Sequence, residues 1–304
     1  MSTSGFDPKT FHDDLAAHGH IIPGGVQGVF GRGRVFEDVV ERFNHLVTAV
    51  AMGDGAESVA FPPVIERKIL ERVDYMDSFP QLAGSIHSFF GNDREARALS
   101  DVVHSGEPWG HLLRETAVVL TPAACYPVYQ TLAGTLPEKG RLVSLTGWVF
   151  RHEPSPEPTR MQAFRMREFV RAGRPDDVVA WRDEWLQRGL TLLEELGLPV
   201  RSALGSDPFF GRAGKMLRDG QKAQRLKLEI LVPVISEQDP TAVCSFNYHQ
   251  DKFGQVFGIR TAGGVVAHTA CVGFGLERVV MALLKTHGLA PETWPKAARD
   301  RLWT

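Results

Sequence analysis

The chain has 304 residues with 43% hydrophobic and 23% charged positions, an ordinary composition for a soluble globular protein with a sizeable core. Its formal net charge of -2 gives no global field for polyanions such as RNA, and three cysteines are too few for a disulfide framework. No apolar run approaches the ~20 residues that span a bilayer, and the N-terminus lacks a secretory pattern, so we expect a cytoplasmic protein with no membrane contact.

The first predicted elements are a glycine-rich loop and a helix. The loop, IIPGGVQGVFGRGR, begins at Ile21, and its Gly-Arg repeat is more typical of a turn than of a phosphate cradle. VFEDVVERFNHLVTAVAM follows it with apolar residues at helical spacing. SVAFPPVI is then predicted as a strand at a sheet edge or a bulge, because Pro62 and Pro63 cannot donate to a ladder.

The middle of the chain predicts a long hairpin followed by a helix. RLVSLTGWVFR and AFRMREFVR are rich in strand formers, and the three prolines of HEPSPEPT between them require a loop. Residues 150–169 therefore form two strand arms joined by that loop. PDDVVAWRDEWLQRGLTLLEELG has acidic residues at its start and a glycine at its end, which indicates a helix that stops at Gly197.

The last third predicts strands and a closing helix. RLKLEILVPV and GQVFGIRTAGG resemble strands, and FGLERVVMALL has helical spacing. Strand and helix do not alternate, and no linker or internal repeat divides the chain. We therefore expect a single α+β domain over residues 1–304, with a largely antiparallel sheet flanked by helices.

Two separated motifs carry the chemistry. Phe150-Arg151-His152-Glu153 precedes the proline loop, FRMREF follows it at 164–169, and Gly273-Phe274-Gly275-Leu276-Glu277-Arg278 joins a strand to a helix. In this order they resemble motif 2 (148–171) and motif 3 (268–284) of the class II aminoacyl-tRNA synthetases. The helix and prolines at about 35–65 resemble motif 1, which forms that family's dimer interface.

Within that class the chain resembles the zinc-dependent, methanogen-type seryl-tRNA synthetases. It is more similar still to their stand-alone bacterial relatives, the amino acid:carrier-protein ligases, over roughly residues 24–284. The resemblance implies a class II synthetase-like sheet and activation of an amino acid by ATP with Mg²⁺.

The resemblance also assigns the ATP site. It implies that Arg151 holds the α-phosphate and the substrate carboxylate, and that Arg165 and Arg278 hold the β- and γ-phosphates. Phe169 would stack on adenine, and Glu153 would accept from its amino group. Fixed guanidiniums suit this reaction, because a carboxylate that attacks a phosphate brings two anions together. The alternative is that these arginines form ion pairs between strands.

A second set of residues concerns a metal. Cys125, Glu168 and Cys271 are far apart in sequence, and free cysteines are more often small buried hydrophobes than ligands. The zinc-dependent seryl-tRNA synthetases have a Cys, a Glu and a Cys at these places relative to motifs 2 and 3. The resemblance therefore implies one zinc ion per subunit, whose fourth position takes the substrate amine.

Some positions depart from the synthetase pattern. Thr241 and Cys244 stand where synthetases have the Glu and Ser that hold Mg²⁺, so Glu229, inward on the preceding strand by alternation, is a weak substitute. Cys244 has no metal role by the resemblance; it is predicted to be a core residue that also borders the substrate. Asn247 keeps its place in the family pattern and is predicted to line the substrate pocket.

The acceptor is predicted from what the chain lacks and from a basic segment. Only about two dozen residues precede the glycine-rich loop, which leaves no room for a tRNA-binding arm, so no tRNA is expected. The bacterial relatives instead load the phosphopantetheine thiol of a small acidic carrier protein. The segment at about 206–227 offers a basic stripe for such a partner, although a solvated face is the commoner meaning of such a run. The predicted carrier contacts are Arg160 on the proline loop and Arg212, Lys215, Arg218 and Lys222.

The sequence thus predicts a homodimeric ligase that converts a small amino acid, glycine or alanine, into an aminoacyl-adenylate and transfers it to a carrier thiol. Two alternatives remain. One is a truncated synthetase that charges tRNA, and the other is an inactive synthetase-like regulatory subunit.

Overall fold

The computed structural model describes the backbone of residues 8–303 and the side chains of all these residues except 8, 212 and 213. Within this range the α-helices are α1 (Pro8–Ala17), α2 (Arg34–Val50), α3 (Arg67–Arg72), α4 (Tyr75–Ser78), α5 (Asp93–Ser105), α6 (Tyr126–Thr131), α7 (Pro175–Glu195), α8 (Gly211–Ala223), α9 (Lys252–Phe257), α10 (Leu276–His287) and α11 (Lys296–Trp303). The first seven strands are β1 (Ile21–Val26), β2 (Val29–Arg32), β3 (Glu57–Ser58), β4 (Val64–Glu66), β5 (Ser85–Ser88), β6 (Arg114–Leu120) and β7 (Gly134–Thr135). The other seven are β8 (Arg141–Phe150), β9 (Ala163–Gly173), β10 (Arg201–Leu204), β11 (Lys227–Val232), β12 (Thr241–Gln250), β13 (Ile259–Arg260) and β14 (His268–Gly275).

A seven-stranded sheet organises the fold, in the order β10-β11-β12-β14-β9-β8-β3. All neighbours are antiparallel except β3, which runs parallel to β8 at the edge. The predicted α+β class with a largely antiparallel sheet is confirmed. No helix of the described range is long and apolar enough to cross a membrane.

Helices cover one face of this sheet. The helix α7 packs on β12 and β14, and α10 packs on α2 and β9. Aromatic side chains fill the layer between them: Phe246 and Trp185 both meet the ring of Phe274 edge to face, and Trp185 stacks on Phe169. The other face of the central strands is therefore left for a site.

Most predicted helices and strands are present. The helices predicted before SVAFPPVI, before Gly197 and after Gly275 are α2, α7 and α10. The two arms of the long hairpin are β8 and β9, which pair from Arg141↔Ala172 to Phe150↔Ala163. The basic segment is helical as α8.

Three local predictions were wrong. The glycine-rich stretch is a β-hairpin, β1–β2, because only Gly28 at its turn needs a positive φ and the other residues extend. SVAFPPVI is split into β3 and β4, since Pro62 and Pro63 interrupt the ladder between them. GQVFGIR is mostly the helix α9, whose Phe253 and Phe257 are four residues apart and both stack on Tyr129.

Candidate active site

A cleft of about 390 Å³ lies on the sheet face that the helices leave free. We call it the sheet cleft. Its floor consists of side chains from β9, β11, β12 and β14, and its walls come from the loop after β8, from α6 and from the segment between β10 and α8. Strand register decides which side chains reach it, because residues directly opposite one another in a sheet share a face.

Two rows of the register cross the floor. The first is Lys227↔Asn247↔Cys271, on β11, β12 and β14. The second is Glu229↔Ser245↔Gly273↔Glu168, which continues onto β9. The predicted substrate residue Asn247 and the predicted inward residue Glu229 therefore both lie in the sheet cleft.

The three predicted metal ligands meet at one end of these rows. One ligand atom from each of Cys125, Glu168 and Cys271 lies within 4.8 Å of the other two, and all three residues are buried. Cys125 arrives from the turn before α6, while Glu168 and Cys271 come from the adjacent strands β9 and β14. Residues that are widely separated in sequence are thus brought together as predicted.

The electrostatics of this cluster suit a cation. Burial, together with the neighbouring Cys271, raises the pKa of Glu168 to about 8. A hydrogen bond from Cys125 holds the pKa of Cys271 well below its usual range and raises that of Cys125 in turn. Among the described side chains, the Oε2 atom of Glu168 is a buried oxygen without a hydrogen-bond partner. Two thiols and a carboxylate with an unused oxygen fit zinc, and three ligands leave one position of a tetrahedron open.

Further polar groups orient the cysteines. The Nδ2 atom of Asn247 donates to Cys271 Sγ at 3.4 Å, and His249 Nε2 lies 3.5 Å from the same sulfur. The other ring nitrogen of His249 lies 3.1 Å from the Thr269 hydroxyl. The Tyr129 hydroxyl lies 3.5 Å from His249 Nδ1. Such groups fix the direction in which a ligand points at its metal.

The opposite end of the sheet cleft presents two arginines and an aromatic ring. The guanidinium carbons of Arg151 and Arg278 each lie 5.7 Å from the ring centroid of Phe164. Arg151 Nε donates to the Pro122 carbonyl, and Arg278 donates to the carbonyls of Thr159 and Ala242. Burial, with the charge of Arg151 nearby, lowers the pKa of Arg278 to about 10. Two guanidiniums pinned by backbone carbonyls at a buried site are suited to holding anions.

Arg165 is not in this group. Its guanidinium makes a bidentate pair with Glu37 of α2, at 2.7 and 2.8 Å, and its Nε donates to Glu277 at 2.8 Å. Glu277 is fully buried and lies 3.4 Å from Arg32 as well. The prediction that Arg165 holds phosphates was wrong, because β9 turns this side chain to the face opposite the sheet cleft. The Gly-Arg stretch likewise directs Arg32 into this ion-pair network.

Phe169 points away from the sheet cleft, and Cys244 lies at its border. Phe169 is 1% exposed and stacks on Trp185 at 4.6 Å, between the sheet and α7. Cys244 is opposite Phe274 in the register and borders the sheet cleft, and burial raises the pKa of its thiol. The adenine role of Phe169 was therefore wrong, whereas the core role of Cys244 agrees with its burial and its substrate role stays a prediction.

The other predicted residues lie at the margins. Glu153 is half-buried on the loop after β8, close enough to Arg278 to act on its pKa. Arg160 on the same loop pairs with Glu157 at 3.0 Å. Lys215 and Lys222 are exposed on α8, whereas Arg218 donates to the Phe209 carbonyl at 2.8 Å. The side chain of Arg212 lies outside the described residues.

Several residues of the sheet cleft were missed from the sequence: Phe164, Ser245, Lys227, Asp207 and His249. For Phe164 the sequence did contain a signal, which is the alternation of side chains between the two faces of the strand along FRMREF. Once Glu168 is placed at the metal cluster, period two puts Phe164 on its face and Arg165 and Phe169 on the other. Asp207 and His249 gave no comparable sequence signal.

No family model matches the chain. It is 44% identical to amino acid–acyl-carrier-protein ligases 1 and 2 of Bradyrhizobium diazoefficiens over 280 residues, which is 91% of the chain and 86% and 84% of those proteins. It is 27% identical to the type-2 serine–tRNA ligase of Methanopyrus kandleri over 82% of the chain and 51% of that protein. The chain thus spans about half the length of that tRNA ligase.

Solved structures agree on the fold. A crystal structure of M. kandleri seryl-tRNA synthetase with A. aeolicus tRNASec superposes with a TM-score of 0.81 and 23% identity, over 98% of this chain and 60% of that one. Seryl-tRNA synthetase of Pyrococcus horikoshii complexed with ATP gives 0.67 and 15%, over 97% and 62%. Both are matches to class II synthetase catalytic domains.

Proposed function

The chain belongs to the amino acid–acyl-carrier-protein ligases, and from this premise we propose that it activates a small amino acid with ATP and passes it to a phosphopantetheine thiol. The observation that carries the proposal is the sheet cleft, which has a buried Cys-Glu-Cys cluster at one end and two fixed arginines around an aromatic ring at the other. The first end suits an amine and the second an adenine nucleotide.

Cys125, Glu168 and Cys271 would hold zinc, which when bound supplies an open Lewis-acid position for the α-amine of the substrate. Asn247 and His249 keep the Cys271 sulfur directed at that position. An amine anchored there leaves the substrate carboxylate facing Arg151, the nearest cation towards the other end of the sheet cleft. This arrangement selects an α-amino acid and fixes its orientation.

For the nucleotide we propose that Phe164, rather than Phe169, stacks on adenine. Its ring lines the sheet cleft with the guanidinium carbons of Arg151 and Arg278 each 5.7 Å from its centroid, and a base on an aromatic face gains further from adjacent cations. Arg278 would hold the β- and γ-phosphates, and Arg151 the α-phosphate. Glu153 would meet the adenine amino group, and Glu229 would carry Mg²⁺.

The reaction then follows in two balanced steps. A carboxylate oxygen attacks the α-phosphorus, the bond to the β-phosphate oxygen breaks, and pyrophosphate leaves with the electron pair. Arg151 offsets the repulsion between the two anions in this step. The carrier sulfur then attacks the acyl carbon, AMP leaves, and the thiol proton passes to solvent. A thiol with a pKa of about 8.5 needs little activation against so reactive an acyl group.

We propose α8 as the docking surface for an acidic carrier. Lys215 and Lys222 are exposed on it, together with the apolar side chains of Phe210, Met216 and Leu217. A basic stripe with apolar neighbours offers both long-range attraction and a contact area. Arg160 on the proline loop would meet the prosthetic arm, and Arg218 is bound to its own backbone and contributes less.

A homodimer is part of the proposal. The helix α5 has 13 residues and none of them is buried, although its apolar residues fall on one side and its polar residues on the other, as on an amphipathic helix. The exposed rings of Phe90 and Trp109 flank it. A helix with no buried residue is suited to an interface between copies, beside the α2 contact that motif 1 implies.

The decisive experiment is amino-acid-dependent exchange of pyrophosphate into ATP, run across the amino acids with and without a metal chelator. We expect exchange with glycine or alanine, its loss on chelation, and no exchange with Cys125→Ala or Cys271→Ala. No exchange with any amino acid in zinc-replete protein would support the inactive regulatory subunit instead.

The acceptor is tested separately, because the similarity to tRNA ligases makes tRNA a specific alternative. Labelled amino acid should pass to a phosphopantetheinylated carrier protein and leave tRNA uncharged. Transfer to tRNA alone would overturn the proposed acceptor while leaving the activation step intact.

A further inference from the structure

Beside the residues that would hold zinc and the nucleotide, the sheet cleft contains a second group of polar side chains. They are Lys227 on β11, Asp207 in the segment before α8 and Gln221 on α8, and Glu229, the proposed Mg²⁺ ligand, also contacts Lys227. We propose that Lys227, held by Asp207 and Glu229, is the wall that limits the side chain of the substrate amino acid. This inference rests on the proposed function, since it concerns the selectivity of that same site.

The floor between the metal cluster and Lys227 includes one glycine and one small side chain. Gly273 lies directly opposite Glu168 on one side and Ser245 on the other. A Cβ atom at Gly273 would come within 2.7 Å of Met166 Cε, so the Met166 methyl already fills the space above this position. An amino acid whose amine is anchored at the cluster therefore lies against Met166, with Ser245 as the next, small, side chain of the floor.

Lys227 lies on the far side of this floor. It shares a row with Asn247 and Cys271, so its Cα is two strands, roughly 10 Å, from that of Cys271. Its side chain is on the cleft face and is only 12% exposed. The cluster and the amine take up one side of that distance, Asn247 stands in the middle of the row, and the lysine stem takes up the other side, which leaves room only for a short substituent on the substrate Cα.

Two carboxylates hold the Lys227 side chain in place. Lys227 Nζ lies 2.7 Å from Asp207 Oδ1 and 3.2 Å from Glu229 Oε1. Gln221 accepts from the Asp207 backbone amide at 2.8 Å and donates to its carboxylate at 2.7 Å. A Cβ atom at Gly205 would lie 2.6 Å from Glu229 Cδ, so the backbone after β10 packs closely against the Glu229 carboxylate and prevents it from moving away from Lys227.

A larger substrate side chain must therefore displace an ammonium that two carboxylates hold. Separating a poorly solvated ion pair is expensive, because each charge would be left without its partner. The ammonium is already paired, so it offers little to a substrate hydroxyl in return. The arrangement favours glycine and alanine over branched or longer amino acids, by sterics and not by attraction.

The test compares kcat/KM in pyrophosphate exchange for glycine, alanine, 2-aminobutyrate and valine. Wild type should discriminate against valine, and Lys227→Ala should raise the valine-to-alanine ratio by at least about tenfold, the scale that one or two methylenes give in a pocket. Lys227→Met, which keeps the length of the stem, should retain most of the wild-type discrimination.

Lys252→Ala is the matched control, because Lys252 also borders the sheet cleft but lies on α9, away from β11. It should leave the valine-to-alanine ratio unchanged. If Lys227→Ala does not fold, Gln221→Ala provides a second test. It removes the contact between α8 and Asp207 and should also raise the valine-to-alanine ratio.

The outcomes separate this inference from the proposed function. If wild type exchanges pyrophosphate and the valine-to-alanine ratio is unchanged in both Lys227→Ala and Gln221→Ala, then Lys227 does not limit the substrate side chain, whereas the proposed function still holds. Absence of exchange by wild type with every amino acid would overturn the function itself.

Discussion

At the scale of single residues, the alternation along β9 separates two aromatic rings that look alike in the sequence. Phe164 lines the sheet cleft beside two guanidiniums, whereas Phe169 is packed against Trp185 on the helical side. The two rings are five residues apart, so a strand must place them on opposite faces. Their truncation should accordingly differ in its effect on ATP binding.

Both rings are buried, at 4% and 1% exposure, so both Phe164→Ala and Phe169→Ala should lower the free energy of unfolding, by about 3–5 kcal/mol at Phe169. Only Phe164→Ala should also raise the KM for ATP, about tenfold, since base–aromatic stacking is worth about 1–3 kcal/mol. Pyrophosphate exchange and urea denaturation of the two variants check this pair. A higher KM for ATP in a stable Phe169→Ala would restore the sequence-based assignment.

The sequence predicted that Cys125, Glu168 and Cys271 lie together, although their metal role stays a prediction, and it did not predict the surroundings of Arg165. The family resemblance gave the first set, because free cysteines far apart in a sequence are by themselves more often core residues than ligands. Arginine has many partners, and the motif places Arg165 correctly on β9 without showing that Glu37 and Glu277 are there to bind it. Partners from distant elements decide what an arginine does.

At the scale of elements, strands and helices with a clear period were predictable, and short or mixed ones were not. The helices α2, α7 and α10 have long apolar stripes, and the hairpin β8–β9 is bounded by prolines. α9 was mistaken for a strand because its six residues are rich in aromatic and β-branched types. Its helical state depends on packing against Tyr129, which the local sequence does not contain.

The helix α8 allows a prediction about the carrier. Lys215→Glu together with Lys222→Glu should raise the KM for the carrier about tenfold, because reversed charge repels an acidic partner, while exchange of pyrophosphate stays unchanged. The effect should shrink at high salt as screening increases. Steady-state transfer assays at two ionic strengths measure both.

Lys139→Glu provides the control, since Lys139 is equally exposed but lies in the turn before β8. An equal loss in the Lys139 variant would mean that only net charge matters. No loss in the α8 variant would remove α8 as the docking surface.

At the scale of the whole molecule, the Cys125–Glu168–Cys271 cluster joins the turn before α6 to two central strands, so an ion bound there would crosslink distant parts of the fold. Ligands that bind only the folded state stabilise it by mass action, by about 2.7 kcal/mol at a concentration of about 100 Kd. Zinc should therefore raise the Tm of the metal-free protein by several degrees, and Cys271→Ala should abolish the rise. Thermal melts with and without zinc measure it, and an equal rise in the variant would place the ion elsewhere.

The overall fold was predicted from motifs spread along the chain, and the class II architecture is confirmed by both the sheet order and the solved relatives. That the whole chain is one domain stays a prediction. What the sequence does not show at this scale is the free face of the sheet, because the absence of a covering helix is a property of the assembled fold. The sheet cleft, and with it Lys227 and Asp207, could be located only in three dimensions.

The proposed wall at Lys227 would separate the choice of amino acid from its activation. In the proposed site the metal cluster would contact only the amine that all α-amino acids share, and the nucleotide end would not meet the side chain. Substitutions on β11 would then change the accepted amino acid while the residues proposed for activation, on β9, β14 and α10, stay as they are. One strand of the sheet would thus be enough to alter the substrate of an active enzyme.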